Sequence, residues 1–218
     1  MLERSIPFYL EQQHMIEEIG KKFLVPGTSI YDLGCSTGTT LINLSAAVDT
    51  TESFVGYDNS IPMLDQARKK IREHNLENRI EVRYFDLNSD LTQLSLKNAG
   101  MVTMCWTLQF LRPLRRDDLI KHIYQGLVEN GILVVTEKVL TNSTHMNRFF
   151  IDFFYEFKKR NGYSNSEIQH KREALENVLI PYRIDENIEM FRRNGFEIAD
   201  LFFLWYNFAG FLCIKKPV

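Results

Sequence analysis

Ile30-Tyr31-Asp32-Leu33-Gly34-Cys35-Ser36-Thr37-Gly38 is a short apolar run that ends in an acid and a turn bracketed by two glycines. It reads as the first strand of an α/β sheet delivering its loop to a ligand. Gly34 lets the backbone approach closely where a Cβ would obstruct, and Gly38 lets the next helix start tight against the strand. Ser36 and Thr37 are placed to cap that helix, whose free N–H groups would face whatever occupies the turn. The second glycine of G-x-G-x-x-G is absent, which disfavours a nicotinamide enzyme. A glycine turn of this kind also serves as a purely structural connection, so the function depends on what surrounds it.

Working outward, Phe54-Val55-Gly56-Tyr57-Asp58 is a second strand ending in an acid. Asp58 follows Gly34 by close to the ~20 residues at which a carboxylate reaches a ribose diol. Asn59 comes next and could touch the same sugar. Ile80 to Leu87 alternates and presents a third acid, Asp86. One strand-end acid is usually a turn former; three in register, on the edge where open α/β sheets bind ligands, favour a site. Gly100 to Trp106 and Ile132 to Lys138 supply two more strands, with helices at about 39–47, 60–75 and 116–127 between them. That alternation predicts a parallel, doubly wound sheet. Helix 185–193 and two strands at 196–201 and 204–214 complete it; these last are joined too closely for a crossover and must be antiparallel. The expected fold is a seven-stranded, mostly parallel sheet with one antiparallel strand near the C-terminus.

Two segments stand outside that rhythm. Residues 1–25 form a helical cap, with Met15, Ile16, Ile19 and Phe23 at three-to-four spacing before Pro26-Gly27, and Tyr9 as either packing residue or part of a lid. Residues 141–180 form a helical insertion for substrate or dimer contacts. Its stripe of Phe149, Phe150, Phe153, Phe154 and Phe157 reads first as core or dimer packing. Its basic residues read as a solvated face, unless they are carried over the sheet edge, where Arg172 would offer a planar fork to a carboxylate.

With 218 residues, 44% hydrophobic and 25% charged, the chain suits a single domain. Its net charge of −2 gives no global footprint for nucleic acid. Cys35, Cys105 and Cys213 are odd in number and widely spaced, fitting neither a disulfide framework nor a zinc site, so a reducing cytoplasm and no metal are expected. No signal-peptide pattern and no apolar run long enough for a membrane span is present.

Strand-end carboxylates with a glycine turn suit a nucleoside without phosphates, since phosphates call for N–H, Lys and Arg partners. S-adenosylmethionine meets that description, with its ribose at Asp58, its adenine near Asp86 and Leu87, and its sulfonium and amino-acid portion near Gly34 and Cys105. Asp32 would order the turn or lie near the ligand's amino group. On these residues alone the chain is an ordinary methyltransferase.

Arg4-Ser5-Ile6-Pro7-x-Tyr9, Val25-Pro26-Gly27-Thr28, Tyr31 to Ser36, Tyr57 to Ser60, Thr107 to Leu111, Ile123 to Leu127, Glu137-Lys138, Asn161 to Ser164, Lys171-Arg172 and Leu175 to Val178 together resemble the bacterial carboxy-S-adenosyl-L-methionine synthases. The similarity covers nearly the whole chain, the insertion included. It implies a Rossmann-like class I methyltransferase fold that transfers no methyl group. Instead, S-adenosylmethionine and prephenate become carboxy-S-adenosylmethionine and phenylpyruvate: prephenate aromatises, losing carbon dioxide and its hydroxyl, and the deprotonated sulfonium methyl captures the carbon dioxide. The resemblance implies that Tyr9, Gly34, Cys35, Ser36, Asp58, Asn59, Asp86 and Leu87 bind the nucleoside, with Cys105 where the family carries an asparagine. It implies that Arg172 grips the added carboxylate, in a homodimer whose neighbouring subunit could supply it, and that a separate tRNA carboxymethyltransferase uses the product on wobble uridine. The alternatives are a conventional methyltransferase acting on a small molecule or RNA, and a non-enzymatic module using the Phe-rich insertion as a binding surface.

Overall fold

The structure is a computed structural model and describes residues 2–48 and 53–216. Two N-terminal helices, α1 (Leu2–Ser5) and α2 (Tyr9–Phe23), lead into β1 (Ser29–Leu33), α3 (Thr39–Ala47), β2 (Phe54–Asp58), α4 (Ile61–Glu73), β3 (Ile80–Tyr84) and β4 (Ala99–Cys105). There follow α5 (Pro113–Gly126), β5 (Leu127–Leu140), α6 (Thr144–Arg160), α7 (Asn165–Leu175), β6 (Tyr182–Arg183), α8 (Ile184–Arg193), β7 (Ile198–Trp205) and β8 (Phe208–Ile214).

The sheet runs β3-β2-β1-β4-β5-β8-β7, with β1 to β5 parallel to one another and β8 antiparallel to both β5 and β7. The seven-stranded expectation holds along this path. The two-residue β6, pairing with β5 at Val139 and Leu140, is an eighth strand too short to leave a periodic signal. Every residue of β1 is buried, as a central parallel strand covered on both faces should be. Successive residues feed opposite layers: Ile30, Met101 and Ile132 pack with Ile16, Leu41 and Leu64 beneath α2 to α4, whereas Tyr31, Val102 and Leu133 pack with Leu119, Ile123 and Phe191 beneath α5 and α8. Strand order reverses between β1 and β4, so the loops after these strands diverge and leave a crevice at the carboxyl edge.

Two devices fix the walls of that crevice. Arg116, fully buried, donates to the carbonyls of Leu111, Gln109 and Ile180 and lies over the Tyr182 ring, tying the loop after β4 to the segment after α7. Glu137, also fully buried, faces this guanidinium, and burial pushes its carboxyl up to about 7. The second device is the start of α7, where Ser164 and Glu167 form a reciprocal capping box that sets which face the helix turns inward.

Candidate active site

Gly34 has φ 84° and donates to the Tyr57 carbonyl at 2.7 Å; a Cβ there would collide with the Thr107 side chain. Glycine is therefore required twice over, by conformation and by space. The expected caps of α3 are corrected by the structure: neither Ser36 nor Thr37 caps the helix. Gly38 occupies the N-cap in a left-handed conformation without a side-chain cap bond. Ser36 itself has φ 48°, and its N–H donates to Asp58 Oδ2 at 2.8 Å. Asp58 thus orders the turn, a task expected of Asp32. Asp32 instead accepts from Thr103 Oγ1 on the neighbouring strand at 2.8 Å.

Asp58 Oδ1 accepts from the Ser60 N–H, also at 2.8 Å. A carboxylate has about four lone-pair sites, so one remains on each oxygen for an incoming diol. Asp86 lies beyond the end of β3 and its carboxylate accepts from the Asn88 N–H at 2.9 Å, the turn-forming bond expected of a loop aspartate.

These residues surround a cavity of about 620 Å³ at the crevice, lined by Gly34, Ser36, Asp58, Asn59, Asp86, Leu87 and Cys105 among others. Tyr9 and Cys35 do not line it. They line an adjoining space of about 40 Å³ with Asp32, Thr37 and Thr39, and Gly34, Ser36, Cys105 and Trp106 border both. Tyr9 is buried and its hydroxyl is pushed up to about 12 by burial, then by Cys105 and Asp32. Burial pushes the Asp32 carboxyl up to about 7 against the Thr103 hydrogen bond, and pushes the Cys105 thiol up to about 12. The smaller space therefore ends in a carboxyl group that would gain its charge beside a cation.

Arg172 is not brought to the cavity of its own chain: it is exposed on α7. The cations that do line the cavity were missed from the sequence. They are Lys138 of β5, Lys158 of α6 and Lys171 of α7. A signal existed, since Phe154 and Lys158 are four residues apart on one helix face, and both line the cavity. The phenylalanine stripe is divided. Phe154 is buried at the cavity, Phe150 and Phe153 pack on Tyr206, and Phe149 and Phe153 remain 43% exposed. Ser5 and Ile6 also line the cavity, beside the insertion, where Arg4 donates to the carbonyls of Asn161 and Gly162 at 2.8 and 2.6 Å and lies over the same Tyr163 ring that Lys171 approaches. Among the described residues, no cluster of His, Cys, Asp and Glu could hold a metal, and no helix is long and apolar enough to cross a membrane.

A glycine turn after β1, an acid after β2 and a cavity at the β1/β4 reversal define the class I methyltransferase fold, and residues 30–131 match the model of a methyltransferase domain. Solved structures agree in fold. The YcgJ protein of Bacillus subtilis superimposes with a TM-score of 0.70 at 10% identity, covering 96% of this chain and 100% of that one. An O-methyltransferase family protein of Burkholderia thailandensis gives 0.67 at 15% identity, covering 95% and 56%. More specifically, the chain belongs to the carboxy-S-adenosyl-L-methionine synthase family. It is 52% identical over 216 residues to the synthase so named in Methylococcus capsulatus, covering 99% of this chain and 88% of that one. The Sulfurimonas denitrificans synthase is 42% identical over 215 residues, covering 99% and 89%.

Proposed function

We propose that the protein is a transferase that converts S-adenosylmethionine and prephenate to carboxy-S-adenosylmethionine and phenylpyruvate. The observation that carries this reading is identity of 52% and 42% to synthases over 99% of this chain, insertion included, together with a cavity of about 620 Å³ that is acidic along the strand ends and lined by Lys138 of β5 and by Lys158 and Lys171 of the insertion. A conventional methyltransferase needs no cationic wall beside its nucleoside.

The balance of the reaction is simple. Prephenate gives up carbon dioxide and hydroxide as its ring aromatises; the sulfonium methyl carbon gives a proton to that hydroxide, forming water, and a bond from the same carbon to carbon dioxide replaces the lost C–H bond. What the chain must do is hold the two partners together and keep water out. Asp58 and Asn59 would take the ribose hydroxyls, and Asp86 and Leu87 would flank the adenine. Gly34, Cys35 and Ser36 would lie against the amino-acid portion, its ammonium directed to Asp32 and Tyr9. Cys105, at the border of the two spaces, would face the reacting sulfonium.

Arg172 would act in trans. Residues one apart on a helix point about 100° apart, so with Lys171 lining its own cavity, the guanidinium of Arg172 is free to enter a neighbour's and grip the new carboxylate. This calls for a homodimer, in which residues 141–180 serve as contact region while residues 1–25 cap the site of their own subunit. The three free cysteines suit a reducing cytoplasm. The product would pass to a carboxymethyltransferase of tRNA wobble uridine, without this chain itself touching nucleic acid.

Mass spectrometry of the nucleoside that copurifies, or that forms on adding prephenate, tests the reading. The expected species is heavier than S-adenosylmethionine by the mass of carbon dioxide; unmodified S-adenosylmethionine alone, with prephenate supplied, would overturn the synthase assignment. In the same assay Arg172→Ala should weaken the carboxylated nucleoside by about 2–4 kcal/mol and S-adenosylmethionine far less, whereas equal losses would remove the arginine from this role.

A further inference from the structure

The cationic wall has no evident duty toward the nucleoside. Lys138, Lys158 and Lys171 reach the cavity from three elements and form a ladder with two aromatic rings. The ammonium groups of Lys138 and Lys158 lie 4.4 and 4.5 Å from the Phe154 ring, and that of Lys171 lies 4.4 Å from the Tyr163 ring and donates to its hydroxyl at 2.8 Å. Among the described residues, none of the three makes an ion pair with a carboxylate. Burial, and then the neighbouring Lys158, hold Lys138 down to about 8; burial, and then Lys171, hold Lys158 down to about 8. Folding gains nothing by collecting like charges at a buried wall, and an anionic ligand is what would relieve it.

We propose that Lys138, Lys158 and Lys171 form the subsite for the 2-oxo acid head of the second substrate, binding the carboxylate and keto oxygens of its pyruvyl arm. The inference rests on the synthase reading for the identity of that substrate. Its chemistry decides between the two carboxylates. Cations placed against the ring carboxylate would stabilise its charge in the ground state and oppose its departure as neutral carbon dioxide, whereas the pyruvyl carboxylate survives unchanged in the product. A 2-oxo acid also offers three acceptor oxygens to three ammonium groups. Trp106, Phe110, Leu175 and Leu179 line the same cavity and supply apolar surface for the ring that aromatises.

Because the head is retained, phenylpyruvate is the probe. Its dissociation constant for the protein saturated with S-adenosylmethionine is measured by calorimetry in wild type, Lys138→Met, Lys158→Met and the charge-restoring Lys158→Arg. Both methionine variants should weaken phenylpyruvate tenfold or more, and the arginine variant should recover most of the loss. S-adenosylmethionine affinity should stay within twofold throughout. Unchanged phenylpyruvate affinity in the methionine variants, or no measurable binding to wild type, overturns the proposal. A methionine variant that keeps the wild-type circular dichroism but loses S-adenosylmethionine binding also overturns the proposal; if one fails to fold by that measure, Lys171→Gln on helix α7 takes its place, with the same outcomes deciding. Failure of the synthase reading would be seen independently, as the missing carboxylated nucleoside.

Discussion

The two sides of the cavity are built by different means. Along β1 to β3 the surface is made by backbone: a left-handed glycine, a strained serine N–H turned onto Asp58, and strand ends whose positions are fixed by parallel register. Opposite, the surface is made by long side chains, Lys138, Lys158 and Lys171, projected from elements far apart in the sequence and steadied by rings. The first side can bind one rigid ligand class in one way. The second can change its ligand by changing three side chains, without touching the sheet.

Three experiments sharpen or break this division. The largest effect is expected from Asp58→Ala. It removes the acceptor for a ribose diol and also frees the Ser36 and Ser60 N–H groups, so S-adenosylmethionine should weaken by about 3 kcal/mol. Phenylpyruvate binding, measured at saturating nucleoside, should be spared. Parallel loss of both ligands would mean that the two sides are not separable.

An intermediate effect is expected from pH. Lys138 and Lys158 are held down to about 8 in the free protein, below the ordinary lysine value. Between about 8 and 10.4 the unfolded chain then binds more protons than the folded one, so these two residues make the free protein more stable as pH rises through that window. Ligand binding should run the other way. Phenylpyruvate should lose affinity by up to about tenfold per pH unit above 8 for each of the two lysines that discharges, about a hundredfold when both do, and the slope should vanish in the Lys138→Met/Lys158→Met double variant. A slope that survives both substitutions would assign the titration to another group.

The smallest effect is expected from Arg4→Ala. Its bonds to the Asn161 and Gly162 carbonyls join the N-terminal cap to the insertion at an exposed site, so about 1 kcal/mol or less should be lost. Amide exchange should quicken around Ser5 and Ile6. Unchanged exchange there would leave the cap held by packing alone.

Legibility in the sequence follows the same division. Gly34, Asp58, Asn59, Asp86 and Leu87 could be read because strand, turn and acid are neighbours in the chain and the α/β alternation fixes which sheet edge they share. The antiparallel β7–β8 pair was legible from the shortness of its connection. Lys138, Lys158 and Lys171 were hidden because their meeting depends on how α6 and α7 fold back over the sheet, which no local pattern encodes. Phe154 was read with its stripe as packing, although the stripe in fact serves the cavity on one face and Tyr206 on another. The capping role given to Ser36 and Thr37 failed because Gly38 starts the helix, and Asp58 takes the Ser36 N–H from the neighbouring strand. β6 was too brief to be seen.

The capping box at Ser164 and Glu167 makes the spacing from the box to Lys171 matter more than the composition between them. It fixes where the helix begins, and so which of two consecutive residues, Lys171 or Arg172, faces inward. Deleting one residue between the box and Lys171 would rotate the remainder of the helix by about 100°, putting Arg172 in the lysine's place and Glu173 in the position that Arg172 had held. Substitutions on this helix change one contact at a time, but a single-codon deletion would put a guanidinium inside and a carboxylate outside at once.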